Sequence, residues 1–117
     1  MIKGFDHIAI ISSSEKSVEF YQKLGFREIF RKERQSDTIV ILEGNGIQIE
    51  IFIDANHPKS NTKVEPLGLR HIAFQIDDIE KIVTEYECGP IMTDWFGKRY
   101  CFATDPDGIP IEFCEKC

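Results

Sequence analysis

The chain carries two copies of one sequence pattern, and this internal repeat restricts its fold more than any other feature. Residues 6–10, Asp-His-Ile-Ala-Ile, recur as residues 70–74, Arg-His-Ile-Ala-Phe, 64 positions later. Residues 46–51, Gly-Ile-Gln-Ile-Glu-Ile, recur as residues 108–113, Gly-Ile-Pro-Ile-Glu-Phe, 62 positions later. Two landmarks that return in the same order with nearly the same offset indicate a duplicated module of about half the chain.

Each half is predicted to open with a strand and to continue into a helix. The strands, residues 7–11 and 71–76, are short, rich in isoleucine or phenylalanine, and bounded by polar residues. Each helix is preceded by a capping residue with a glutamate three positions later, and a glycine stops it. These residues are Ser12, Glu15 and Gly25 in the first half and Asp77, Glu80 and Gly89 in the second.

Three further strands fit into each half, so that each module has the order βαβββ. They are predicted over residues 26–31, 38–42 and 46–53 in the first half, and near residue 91 and over residues 98–104 and 109–114 in the second. The sequence therefore predicts an α+β fold. Modules 1–53 and 68–117, joined by a polar linker over residues 54–67, pair to form an open, cleft-forming eight-stranded sheet within one domain, residues 1–117.

Histidine and glutamate stand at equivalent positions of the two modules. His7 and His71 lie in the first strands, and Glu50 and Glu112 lie in the last strands. A glutamate inside an apolar strand is costly when its carboxylate is unpaired. Because side chains alternate along a strand, each glutamate points to one face of its sheet and its apolar neighbours along the strand point to the other. If the first and last strands are adjacent, each module presents one histidine and one glutamate, and a pseudo-twofold pairing of the modules brings all four together.

Two imidazoles and two carboxylates suit a divalent transition metal such as zinc, nickel, cobalt, manganese or iron(II). Since this set has no thiolate, a closed structural zinc site is disfavoured. Four protein ligands leave coordination positions for water or substrate, as a catalytic metal requires. The alternative is that the histidines are ordinary strand residues and that the glutamates face solvent. The symmetric placement of all four residues favours the metal.

These motifs resemble the vicinal oxygen chelate superfamily, which includes glyoxalase I, extradiol dioxygenases and bleomycin-binding proteins. The motifs that carry the resemblance span nearly the whole chain and are residues 6–9, 20–26, 49–52, 69–74, 77–79 and 105–112. The chain is similar to the small bacterial glyoxalase I-like proteins, in which Lys-Arg-aromatic precedes Asp-Pro-Asp-Gly, here residues 98–100. The resemblance implies a glyoxalase-like fold.

The resemblance also implies an activity. The chain has the four-ligand pattern of glyoxalase I, which implies a metal-dependent carbon–sulfur lyase or isomerase of the lactoylglutathione lyase type. The metal, nickel or zinc first and cobalt, manganese or iron as alternatives, would be held by His7, Glu50, His71 and Glu112. Glu112 would be the catalytic base, which transfers a proton next to a metal-bound carbonyl by way of an enediolate. Arg99 is a candidate substrate contact, with an exposed strand charge as the alternative.

Two positions depart from the glyoxalase I pattern. Glyoxalase I binds glutathione through an arginine and an asparagine, and the corresponding residues of this chain are Ile11 and Asp54. The sequence therefore does not distinguish glutathione from a different thiol or a plain hydroxy-ketone as part of the substrate. An extradiol-type dioxygenase and a non-catalytic protein that binds small molecules or drugs are the alternatives within the same superfamily.

The charge balance restricts the partners. With 14 Lys and Arg against 20 Asp and Glu, the net charge is −6, which disfavours nucleic acid and anionic membrane surfaces as ligands. No apolar stretch is long enough to span a membrane and the first residues lack a signal segment. We expect a cytoplasmic protein with a small-molecule substrate.

The short linker permits the modules to pair within one chain or between the chains of a homodimer. We expect the Cys114–Cys117 spacing to be incidental.

Overall fold

A computed structural model describes residues 1–59 and 64–115. The chain divides into two compact units, Met1–Lys59 and Ser60–Cys117, and the described residues of each form one four-stranded sheet and one helix. The predicted α+β class and the two βαβββ modules are confirmed. Part of the predicted linker, residues 60–63, and the cysteine at position 117 lie outside the described residues.

The first unit forms its sheet from strands that lie in the order β1-β4-β3-β2. Its elements are β1 (His7–Ser12), α1 (Lys16–Lys23), β2 (Arg27–Glu33), β3 (Thr38–Gly44) and β4 (Ile47–Ile53). Strands β2, β3 and β4 pair antiparallel, whereas β1 pairs parallel with β4. The first and last strands of the module are therefore neighbours.

The second unit repeats this topology with the order β5-β8-β7-β6. Its elements are β5 (Ile72–Ile76), α2 (Ile79–Glu85), β6 (Met92–Thr93), β7 (Arg99–Thr104) and β8 (Pro110–Glu115). Strand β5 pairs parallel with β8, in the register that β1 adopts against β4. Ala9 is opposite Glu50 in the first unit, and Ala73 is opposite Glu112 in the second.

Each sheet buries one face beneath its helix. In the first unit the buried side chains come from β3, β4 and α1, and they are Val40, Leu42, Ile49, Ile51, Val18 and Tyr21. In the second they come from β7, β8 and α2, and they are Cys101, Ala103, Ile111, Phe113 and Ile79. Because β-strand side chains alternate, every second residue of these strands points to the other face, away from the helix. Within the described residues no helix is long and apolar enough to cross a membrane.

The first helix stops just before Gly25, as the sequence predicts, whereas the second ends at Glu85, with Tyr86 as its C-cap, and not at Gly89. Gly25 N donates to Gln22 O at 2.9 Å and Phe26 N donates to Tyr21 O at 3.1 Å, which is the pair of hydrogen bonds of a Schellman motif. Gly25 adopts φ +107°, a region that glycine enters without steric cost.

The predicted helix starts are wrong in detail. The helix α1 begins at Lys16, and Ser12 lies at the buried end of β1, where its Oγ donates to Ser17 Oγ at 2.6 Å. Because this hydroxyl is already committed inside the fold, it does not cap the helix. In the second unit Asp78 rather than Asp77 is the N-cap, and its Oδ1 accepts from Lys81 N at 3.1 Å.

Replacing Gly25 by alanine tests the helix stop. A Cβ at this position meets nothing within 4 Å, so the cost comes from the backbone conformation alone. We expect a loss of about 1–2 kcal/mol in the free energy of unfolding, measured by urea denaturation. Gly4→Ala is the matched control, since its Cβ also meets nothing within 4 Å and its φ lies outside the left-handed region. Equal stabilities of the two variants would contradict the assignment.

Candidate functional site

In the first unit the structure brings His7 and Glu50 together. Strands β1 and β4 lie side by side, and His7 Nε2 is 3.1 Å from Glu50 Oε2. The neighbours of Glu50 along the strand, Ile49 and Ile51, are buried beneath the helix. Glu50 therefore lies on the opposite face of the sheet, where its side chain is 22% exposed.

The second unit repeats this arrangement with His71 and Glu112. The distance from His71 Nε2 to Glu112 Oε1 is 3.0 Å, and the carboxylate side chain is 19% exposed. Ile111 and Phe113 on either side of Glu112 are buried on the helix side. The ring of Phe102, which is opposite Glu112 on β7, packs edge-on against His71 with centroids 5.1 Å apart. A carboxylate sheltered in this way requires a partner, and the imidazole supplies it.

The remaining ring nitrogen of His7 faces a second carboxylate. His7 Nδ1 is 2.7 Å from Asp6 Oδ2. The hydrogen bond to Asp6 raises the pKa of His7 above its usual value, and the charge of Glu50 acts in the same direction. In the metal-free protein His7 therefore holds a proton more tightly than an isolated histidine, because both ring nitrogens face acceptors.

The remaining ring nitrogen of His71 faces a cation instead. Arg70 Nη1 is 3.1 Å from His71 Nδ1. The same guanidinium forms an ion pair with Glu65 at 2.8 Å and lies over the ring of Phe102, 6.0 Å from its centroid. In both histidines Nε2 thus faces a glutamate, whereas Nδ1 faces a carboxylate in His7 and a guanidinium in His71.

The donor atoms of each pair suit a divalent transition metal, because imidazole nitrogen is a borderline donor and carboxylate oxygen a hard one. Each pair supplies two donors, fewer than the three or four protein ligands that zinc takes. Across residues 1–59 and 64–115, no group of three or more His, Cys, Asp or Glu side chains is arranged to hold a metal ion. The assignment of all four residues to one ion stays a prediction.

Arg99, the candidate substrate contact, lies on the helix side of its sheet. It shares this face of β7 with the buried Cys101, and its guanidinium binds Glu115 at 2.7 Å and Glu80 at 2.7 Å. Glu112 lies on the other face of the sheet. Arg99 therefore ties helix α2 to the two strands, and we do not include it in the proposed site.

The site contains three residues that the sequence reasoning did not select. Asp6 and Arg70 hold the Nδ1 atoms of the two histidines, and each directly precedes its histidine at equivalent positions of the repeat. Cys114 shares the face of β8 that carries Glu112, where burial and the neighbouring Glu112 raise the pKa of its thiol. Cys101, in contrast, lies on the helix side of β7 and outside the site. Burial raises the pKa of its thiol to about 12, so that it is protonated at neutral pH.

Comparison with known proteins identifies the fold family. The sequence profile of the Glyoxalase/Bleomycin resistance protein/Dioxygenase superfamily matches residues 4–113. The uncharacterized protein YwkD of Bacillus subtilis (strain 168) is 40% identical over 127 aligned positions, which cover 99% of each chain. The crystal structure of a glyoxalase family protein from Enterococcus faecalis superposes with a TM-score of 0.87 at 33% identity, over 97% of this chain and 98% of that one.

A more distant structure has the same fold. The fosfomycin resistance protein FosX of Listeria monocytogenes, crystallised as a variant with Mn(II) and 1S,2S-dihydroxypropylphosphonic acid, superposes with a TM-score of 0.78. It is 22% identical and the match covers 100% of this chain and 95% of that one. Divalent metal binding therefore occurs on this fold. The profile match and the identity to YwkD together show that the chain belongs to the Glyoxalase/Bleomycin resistance protein/Dioxygenase superfamily.

Proposed function

We propose that the chain is a metal-dependent lyase or isomerase of the glyoxalase I type, which transfers a proton at the carbon next to a carbonyl group. The observation that carries this proposal is the histidine–glutamate pair formed in the same register in both modules, with N–O distances of 3.1 and 3.0 Å. Both modules present the same two donor types, an imidazole and a carboxylate, on the face away from the helix, and this is a donor set that a divalent transition metal accepts.

The proposed metal ligands are His7, Glu50, His71 and Glu112, on one divalent ion held within one chain or in a homodimer. Nickel and zinc are the first candidates, and cobalt, manganese and iron are the alternatives, since all accept imidazole and carboxylate donors. The manganese complex of FosX supports a divalent ion on this fold. When bound, such an ion would polarise the substrate carbonyl and favour negative charge on its oxygen.

Glu112 is the proposed base. Its carboxylate accepts the proton from the carbon next to the carbonyl and returns it to the neighbouring carbon. The Phe102 ring against His71 and the 19% exposure of Glu112 limit the access of water to this carboxylate. Before an ion binds, His71 Nε2 at 3.0 Å holds the carboxylate in place. The two pairs are nearly equal in geometry and do not distinguish the glutamates. The choice of Glu112 over Glu50 therefore rests on the resemblance to glyoxalase I.

The net charge of −6 supports a small-molecule substrate rather than nucleic acid. As part of the same proposal, we place the reaction in the cytoplasm. The substrate class is a thiohemiacetal that carries a carbonyl on the adjacent carbon, or a hydroxy-ketone, since both have a C–H bond next to a carbonyl carbon.

Metal analysis tests the ligand set. We expect purified protein to bind about one divalent ion per chain, by mass spectrometry of the metal and by calorimetric titration. His71→Ala should weaken binding by more than the 10–100-fold that the loss of a supporting partner typically costs, because it removes a ligand itself. His57→Ala is the matched control, since His57 contacts Asp54 at 3.4 Å and belongs to neither pair.

Unchanged metal content in both His7→Ala and His71→Ala would remove the basis of the proposal. Binding of small apolar ligands without metal would instead favour the non-catalytic alternative. Oxygen consumption with a catechol would favour the extradiol dioxygenase.

The two glutamates are compared by conversion to glutamine. An amide oxygen still coordinates a metal ion, but a neutral amide is a very poor base. Glu112→Gln should therefore lower turnover by about 10²–10⁴-fold at saturating metal. The matched variant Glu50→Gln should lower metal affinity comparably and turnover less. Turnover is measured with a thiohemiacetal substrate for both variants. An active Glu112→Gln would exclude Glu112 as the base, and equal losses would mean that both carboxylates share the role.

A further inference from the structure

Two cysteines of the second unit, outside both histidine–glutamate pairs, have their thiols in contact. Cys101 lies on the helix side of β7 and is 0% exposed. Cys88 lies in the connection between α2 and β6 and is half-buried. A hydrogen bond joins the two side chains, and both cysteines are in the thiol form.

A backbone contact holds this connection against the strand. The N–H of Gly89, which follows Cys88, donates to the carbonyl oxygen of Phe102, which follows Cys101, at 2.8 Å. Glu87 and Gly89 on either side of Cys88 are exposed, and the connection is neither helix nor strand. Its backbone is therefore less restrained than that of β7, which pairs with strands on both sides. A disulfide requires the two sulfurs to approach to about 2.05 Å, and Cys88 is the residue that is able to move.

We propose that Cys88 and Cys101 form an oxidation site, at which a peroxide converts the two thiols into a reversible intramolecular disulfide. The exposure of the two residues determines the order of the reaction. Cys88 is accessible to solvent and Cys101 is not, so that the peroxide reaches Cys88 first. This inference involves none of the four proposed metal ligands and does not depend on the proposed function.

The reaction has two steps. In the first, the thiolate of Cys88 attacks one oxygen of hydrogen peroxide and the O–O bond breaks. Cys88 becomes a sulfenic acid, and the departing hydroxide takes up the thiol proton and leaves as water. In the second, Cys101 gives up its proton and its sulfur attacks the sulfur of Cys88. The S–O bond breaks and a second water leaves, so that two thiols and one peroxide give one disulfide and two waters.

The second step is the slower one. The thiolate is the attacking species in such exchanges, and burial, together with the neighbouring Cys88, raises the pKa of the Cys101 thiol. The sulfenic acid of Cys88 therefore persists long enough to be trapped before the disulfide forms.

Peptide mapping of the full-length protein, treated under native conditions with a small excess of hydrogen peroxide, tests the site. Trypsin and a protease that cuts before aspartate place Cys88, Cys101 and Cys114 in three different peptides. We expect the peptides of Cys88 and Cys101 to be linked, with a loss of two hydrogen atoms from their summed mass, and to separate after addition of dithiothreitol. Cys114→Ala is the matched control, since Cys114 is half-buried like Cys88, and it should retain the link.

Cys88 and Cys101 peptides that remain unlinked, or that reach the sulfonic acid without passing through the link, would overturn the inference. Because this map is made on the wild-type protein, it decides the question even if a variant of the buried Cys101 does not fold.

Trapping with dimedone, which labels sulfenic acids, tests the order of the two steps. In the wild-type protein the label on Cys88 should decline as the disulfide forms. In Cys101→Ala it should persist, because the partner thiol is absent, and in Cys114→Ala it should decline as in the wild type. Labelling of Cys101 in place of Cys88 would contradict the proposed order. A label that declines equally in Cys101→Ala and the wild type would show that Cys101 is not the partner.

Discussion

The parallel pairing of the first and last strands is the constraint on which each module depends. It brings β1 next to β4 and β5 next to β8, although a helix and two strands separate them along the chain. The pairing fixes which side chains meet across the two strands, and it places a histidine near a glutamate in both units. On the first strand of each module the residue opposite the glutamate is a small alanine, so that the carboxylate has room on the side of its imidazole.

The buried and polar faces of each sheet serve different purposes. Isoleucine, valine and phenylalanine on the helix side exclude water and stabilise the module. On the other face the carboxylates are sheltered but not buried, and they lie close to the histidines. Arg99 illustrates the division: on the helix side it connects α2 to β7 and β8 through two carboxylates, and contributes to the fold rather than to the site.

Much of this organisation could be predicted from the sequence, since the repeat and the alternation of apolar residues depend only on chain order. The histidine–glutamate pairs follow from the same two signals. The helix starts could not be predicted as accurately, because Ser12 has a capping residue's chemistry but is committed to a buried hydrogen bond with Ser17. The roles of Asp6 and Arg70 were also missed. Adjacent charges in a sequence do not reveal which ring nitrogen they contact, since this depends on side-chain rotamers.

The strand order also determines when each module becomes complete. The contacts among β2, β3 and β4 are hairpin contacts between segments close in sequence, whereas His7 pairs in register with Gln48. Closing the longer loop costs more chain entropy and slows the step that forms it. During synthesis β1 cannot join its sheet until β4 has emerged, because β4 is the strand with which it pairs. The histidine and glutamate of a module come together only when its first and last strands pair.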